Sequence, residues 1–301
     1  ILEKYPEVLD ILLRDQTTQK NIIWATSNYN HLGESYLESN QIKSELITGI
    51  NGEVIMPRVQ KDQILQQYRV KNMAEVFTPS WICNAQNNLI DNAWFERKDV
   101  FNKEIPNEKK WKTNQTKIKF PKNKFWQDYI NDKRLEISCG EAPYITSRYD
   151  TTTGEFIEIE NRIGLLDRKL RIINENVDES NEWLEATKSA YKNTYAYEWQ
   201  GDSLLLARES MLITFIENYK SKFEKEPLLK SVQNIAEIIS WNVWQMDGLK
   251  GVIPFSCGEI KTKRVNLFGE EETDNSYCKG CLNNNIYEHN GIYCLIMDWP
   301  N

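Results

Sequence analysis

The sequence predicts an α/β fold. From Leu135 onward short apolar strands alternate with long amphipathic helices, the pattern of strands crossed over by helices. Three of those apolar stretches end in an acid, at Glu136, Glu198 and Asp247. Four of the six cysteines fall after residue 250, which marks a separate Cys-rich insertion.

The elements follow in order. Leu2, Tyr5, Leu9, Leu12 and Leu13 recur at helical spacing, and the polar Asp15-Gln16-Thr17-Thr18 turn leads to a strand-like Ile22-Ile23-Trp24. Gly49-Ile50-Asn51-Gly52 breaks the pattern, and residues 60–75 are polar, so residues 1–70 are expected to form a small N-terminal helical and extended region. Residues 98–126, rich in Lys and Asn with Pro106 and Pro121, read as a long connection or lid. Residues 71–250 then form the α/β core. Its helices are expected around Ile163–Ile173, after the capping candidate Ser180, over about 203–223, and over about 228–239 behind Pro227. Asp167-Arg168-Lys169 is expected to be a solvated helix face. Residues 251–301 hold the Cys-rich insertion and a final apolar strand over Tyr293–Met297.

Composition narrows the function. The 301 residues are 40% hydrophobic and 27% charged, ordinary for a soluble globular protein with a sizeable core. No apolar run approaches the ~20 residues that span a bilayer, and nothing near Ile1 resembles a signal peptide, so a cytoplasmic protein with no membrane partner is expected. The net charge of -7 is the wrong sign for a surface that grips phosphates everywhere, so nucleic-acid contact must be local. The candidate is the run from Lys109 to Lys124, with Lys109, Lys110, Lys112, Lys117, Lys119, Lys122 and Lys124 interleaved with Trp111, Phe120 and Phe125.

Leu135-Glu136-Ile137-Ser138-Cys139-Gly140-Glu141-Ala142-Pro143-Tyr144 is a short strand ending in an acid, followed by a tight turn at Gly140. In doubly wound folds the ligand sits beyond the carboxyl ends of the strands, where a glycine turn lets backbone approach it. Tyr195-Ala196-Tyr197-Glu198 supplies a second acid, suited to accept from ribose hydroxyls, and Asp247 a third; together they suggest an adenosine-containing ligand. Separately, Cys278-Lys279-Gly280-Cys281 is a metal knuckle. With Cys257 upstream and His289 downstream it would complete a closed, structural tetrahedral Zn site; Cys294 is the alternative fourth ligand.

At these residues the chain resembles the class I N6-adenine DNA methyltransferases, specifically the methyltransferase subunit-like proteins of restriction-modification systems. Glu136 to Tyr144 is similar to their S-adenosylmethionine motif, Asp-Pro-Ala-Cys-Gly-Ser-Gly-x-Phe, and Phe77-Thr78-Pro79 to the Phe-Thr-Pro motif that precedes it. The resemblance covers about residues 70–250 and implies a Rossmann-like methyltransferase core. It assigns cofactor contacts to Phe77, Thr78, Pro79, Glu136, Cys139 and Gly140, the ribose to Glu198 and the adenine edge to Asp247. Glu136 stands for the usual Asp, Ala142 for the second glycine, and Pro143 removes an amide N–H. Glu198 follows Gly140 at more than the usual ~20 to 30 residues, which implies one or two inserted helices over 150–192. The Asn-Pro-Pro-Tyr-type tetrapeptide that holds a flipped adenine is absent; the nearest string is Asp298-Trp299-Pro300-Asn301, so catalytic residues are unassigned and the catalytic strand is expected after Asn301. Double-stranded DNA, with a nuclease or specificity subunit, is the implied partner set. The alternatives are a noncatalytic DNA-recognition module of the same shape, and an NAD-dependent oxidoreductase, which the single-glycine turn disfavours.

Overall fold

In the computed structural model, residues 5–61, 78–265 and 271–299 are described. Phe77 and the expected boundary near residue 70 lie outside the described residues. The centre is a parallel sheet of β3 (Arg134–Glu136), β4 (Thr194–Glu198) and β5 (Val243–Gln245), in that order. Leu135 pairs with Tyr195 and Glu136 with Ala196; Tyr197 pairs with Trp244 and Glu198 with Gln245. Two helices make each crossover: α4 (Leu165–Asn176) and α5 (Ser180–Lys192) between β3 and β4, then α6 (Gly201–Phe223) and α7 (Leu229–Asn242) between β4 and β5. The pair α4 and α5 occupies most of the long interval between Gly140 and Glu198.

Helix α6 is buried almost all round, as expected of a helix apolar on more than one face. Leu204, Leu205, Met211, Leu212 and Phe215 fill the core, where Trp183 of α5 meets the rings of Phe215, Tyr219 and Phe223. The N-terminal α1 (Pro6–Leu13) buries Val8, Leu9, Leu12 and Leu13 in the same core. Arg208 of α6 ties these pieces together: its buried guanidinium donates to the carbonyls of Leu12, Arg14, Ser240 and Val243. A cation thereby satisfies carbonyls left over at the ends of α1 and α7. Ile22–Trp24 is extended but makes only an isolated bridge, Ile23 with Gln41, rather than a strand.

Two further departures from the sequence reading have clear causes. Asp167, Arg168 and Lys169 are buried, not solvated. Arg168 reaches Asp91, Asn84 and Asn88 on α2 (Ser80–Phe95), a polar helix face whose partner lies far away in sequence. Residues 98–126 are not a plain loop: β1 (Asn102–Ile105) and β2 (Lys110–Thr113) form an antiparallel hairpin, followed by the short α3 (Trp126–Ile130). Trp111 turns inward to donate to Asn161, and Phe120 packs against Trp94 and Phe95, so of the three rings in the lysine run only Phe125 is exposed.

After β5, β6 (Ile260–Val265) and β7 (Glu271–Ser276) pair as antiparallel strands, followed by α8 (Lys279–Asn283). The expected final strand over 293–297 is instead irregular, with one bridge from Tyr293 to Val252. Asp298 pairs with Lys133, and the Trp299 indole donates to Asn242. Both partners directly precede strands, so this string sits at the amino ends of the sheet, opposite the strand-end acids. No helix among the described residues is long and apolar enough to cross a membrane.

Candidate functional site

Two sites emerge. The first lies at the carboxyl ends of β3 and β4. The chain leaves β3 through three left-handed residues, Ser138 (φ 47°), Gly140 (φ 55°) and Ala142 (φ 59°). Only Gly140 adopts this conformation without a Cβ penalty, so the Ser138 and Ala142 backbones are held by their surroundings, as strained turns at binding sites often are. The Cys139 amide continues the ladder to Tyr197 O, and the Ala142 amide closes the turn onto Cys139 O.

Glu198 fixes this turn from the neighbouring strand. Its Oε2 accepts from the Gly140 amide at 2.9 Å, and its Oε1 accepts from the amides of Trp199 at 2.9 Å and Gln200 at 3.1 Å, at the start of α6. One carboxylate thus holds the turn and the two residues that lead into α6. Of its roughly four lone-pair sites three are occupied, which leaves Oε2 able to accept once more. Glu136 is turned inward, accepting from the Tyr144 and Ile145 amides at 3.4 and 3.1 Å. Burial, only partly offset by those two hydrogen bonds, pushes its carboxyl up to about 8, and the charge of Glu198 adds to the effect. Burial also raises Glu198 above the usual carboxylate range despite its amide donors. The Cys139 thiol, buried beside both acids, is likewise held up and inert.

Thr78 and Pro79 lead into α2 beside the segment that follows the turn. The Thr78 carbonyl accepts from Thr151 at 3.2 Å and from the Cys83 thiol at 3.6 Å, and the Ser80 amide that opens α2 donates to Asp150 at 2.7 Å. The structure therefore brings Glu136, Cys139, Gly140 and Glu198 together, while Thr78 and Pro79 lie against Thr151 and Cys83 in the segment that opens α2. Asp247 stands two residues past the end of β5, but its carboxylate serves its own turn, accepting from the Leu249 amide at 3.1 Å and pairing with Lys250 at 3.3 Å. Asp298 and Trp299 lie at the other end of the sheet and take no part.

The second site is a Cys3His cluster of Cys257, Cys278, Cys281 and His289, whose ligand atoms all lie within 4.8 Å of one another. Cys257 Sγ is 3.3 Å from Cys278 Sγ and 3.6 Å from Cys281 Sγ, and His289 Nδ1 is 3.5, 3.5 and 3.6 Å from the sulfurs of Cys257, Cys278 and Cys281. A tetrahedral Zn2+ with Zn–S of ~2.3 Å and Zn–N of ~2.0 Å would set S···S near ~3.8 Å and S···N near ~3.6 Å. The four groups could hold a metal ion. Cys294 is not among them: its thiol lies 3.6 Å from Gln245 O, and burial pushes it up to about 12.

The local sequence explains the cluster. Cys257 precedes β6 and Cys278 follows β7, so the ligands clamp the end of the β6–β7 pair where the chain enters and leaves it. Gly280 has to be glycine, since a Cβ there would stand 2.6 Å from the His289 amide nitrogen and 2.7 Å from Nδ1. Desolvation works against ionising Cys278, yet amide donors from Cys281 and Asn290, with His289, bring its thiol down to about 6. Asn290, overlooked in the sequence, also pairs its amide side chain with the backbone of Gly258. Its position between a ligand and Gly291 was the available signal. The cluster is joined to the first site through Phe255, whose ring meets Trp199 at 5.3 Å, directly after Glu198. Comparison with protein families, curated proteins and solved structures finds no match for this chain.

Proposed function

We propose that this chain forms the cofactor-binding part of an S-adenosylmethionine-dependent DNA adenine-N6 methyltransferase of a cytoplasmic restriction-modification system, stabilised by one Zn2+ at Cys257, Cys278, Cys281 and His289. The observation that carries the reading is the meeting of Glu198 and the Gly140 turn at the carboxyl ends of adjacent parallel strands, where doubly wound folds bind nucleotides. The free acceptor capacity of Glu198 suits a ribose hydroxyl, and the Gly140 turn allows close backbone approach. The bound cofactor would supply an electrophilic methyl group, which this chain's residues would orient. The metal ligands complete a four-coordinate shell with no open position, which fits a structural ion rather than a catalytic one.

Because Asp298-Trp299 lies at the amino ends of the strands, the described residues place no adenine-holding tetrapeptide at the site. This favours, as a second reading, a recognition module that keeps the architecture without methyl transfer. Calorimetric titration of the complete protein with S-adenosylmethionine, followed by transfer of labelled methyl to duplex DNA, separates the readings. Cofactor binding with transfer to adenine supports the enzyme, binding without transfer supports the module, and no cofactor binding overturns the first.

A further inference from the structure

The lysine run from 109 to 124 has seven lysines and no acid in a chain of net charge -7, and the cofactor site does not use it. The structure puts two of them, Lys110 and Lys112 of β2, on one face with Lys103 of β1. The β1–β2 hairpin has an inner face, where Asn102 meets Asn84, the Trp111 indole donates to Asn161 O, and Thr113 donates to Asn161 Oδ1 at 2.8 Å. Strand alternation then turns Lys103, Lys110 and Lys112 outward, and all three are exposed. Lys103 and Lys112 are direct cross-strand partners. Like charges opposite one another on a ladder are destabilising, and no described acid forms an ion pair with any of the three. A solvated strand face gains nothing from that arrangement; a face that meets phosphates does.

The hairpin also reaches the start of α2. Lys109, at the turn between β1 and β2, stands 5.7 Å over the ring of Trp81, which follows Ser80 in the first turn of α2, directly after Thr78-Pro79. We propose that the outward face of this hairpin, Lys103, Lys110 and Lys112, is the docking surface for the phosphate backbone of a DNA duplex, holding it beside the Thr78-Pro79 entry to α2. This deepens, and rests on, the methyltransferase reading. Charge complementarity selects the occupant: a local cationic strip on an acidic protein concentrates binding where the base must be delivered.

The test is binding of a fluorescently labelled duplex by the complete protein, read by anisotropy across a salt series. The variant Lys103→Gln/Lys110→Gln/Lys112→Gln is compared with a control, Lys43→Gln/Lys225→Gln/Lys230→Gln, which removes exposed lysines elsewhere. Losing three phosphate contacts should lower the slope of log K against log salt by about 3 in the hairpin variant and leave it unchanged in the control. An unchanged slope in the hairpin variant, an equal loss in the control, or a parent protein that does not bind duplex at low salt overturns the proposal. Titration with S-adenosylmethionine on the same proteins keeps the two readings apart. Preserved cofactor affinity with weakened duplex binding supports the docking face, whereas a parent that binds duplex but no cofactor sinks the enzyme reading and leaves the surface standing.

Discussion

Replacing Glu198 tests how one carboxylate holds two elements. Glu198→Ala leaves the amides of Gly140, Trp199 and Gln200 without their acceptor. An orphaned buried donor costs ~1 to 3 kcal/mol, and these amides sit in a largely but not wholly dry site, so the loss of stability should be about 3 to 5 kcal/mol. Glu198→Gln is more selective. Its single carbonyl oxygen keeps the Trp199 and Gln200 amides, while its NH2 faces the Gly140 amide, donor against donor. The link to the entry of α6 should survive and the turn should be released, with a stability loss of ~1 to 2 kcal/mol. Urea unfolding gives the stability change, and calorimetry on the folded fraction gives the affinity for S-adenosylmethionine. A charged-group hydrogen bond to ribose contributes ~1.5 to 3 kcal/mol, so Glu198→Ala should weaken the cofactor by roughly 10- to 150-fold. An unchanged unfolding midpoint in Glu198→Ala would refute the geometry, and unchanged cofactor affinity would refute the ribose role alone.

Other perturbations reach other parts of the molecule. Glu136 titrates near 8 when folded and near its ordinary 4.5 when unfolded, so the folded state holds the extra proton between those values. Stability should therefore fall as pH rises from about 5 to 8 and level off above that, by at most about 5 kcal/mol, and Glu136→Gln should flatten this window in denaturation curves. Gly280→Ala drives a methyl into His289 and should weaken Zn2+ by roughly 10- to 100-fold in chelator competition, whereas Cys294→Ser should leave the metal content of the purified protein unchanged. Asp91→Ala strands the buried Arg168 charge and removes the acceptor of the Tyr129 hydroxyl, so thermal or urea unfolding should report a loss of ~3 to 5 kcal/mol; a change below ~1 kcal/mol would contradict the buried pair.

The sequence by itself determined what is local and periodic. Helices α4 to α7 were legible because apolar residues recur at helical spacing. Strands β3, β4 and β5 were legible because short apolar runs end at turns, and the metal cluster because Cys278 and Cys281 share a knuckle with few partners to choose from. Only the tertiary structure decided matters that depend on distant groups. Arg168 reads as solvated until Asp91, on another helix, is seen to neutralise it. Trp111 and Phe120 read as stacking rings until the hairpin turns them inward and leaves the lysines outside. Asp298-Trp299 has the composition of a site loop, yet the sheet's direction places it at the wrong end. His289 prevailed over Cys294 because the chain path carries one to the sulfurs and the other to β5. In each case the residue's chemistry is written in the chain, but the partner that selects its role is supplied by long-range packing, which periodicity and spacing do not encode.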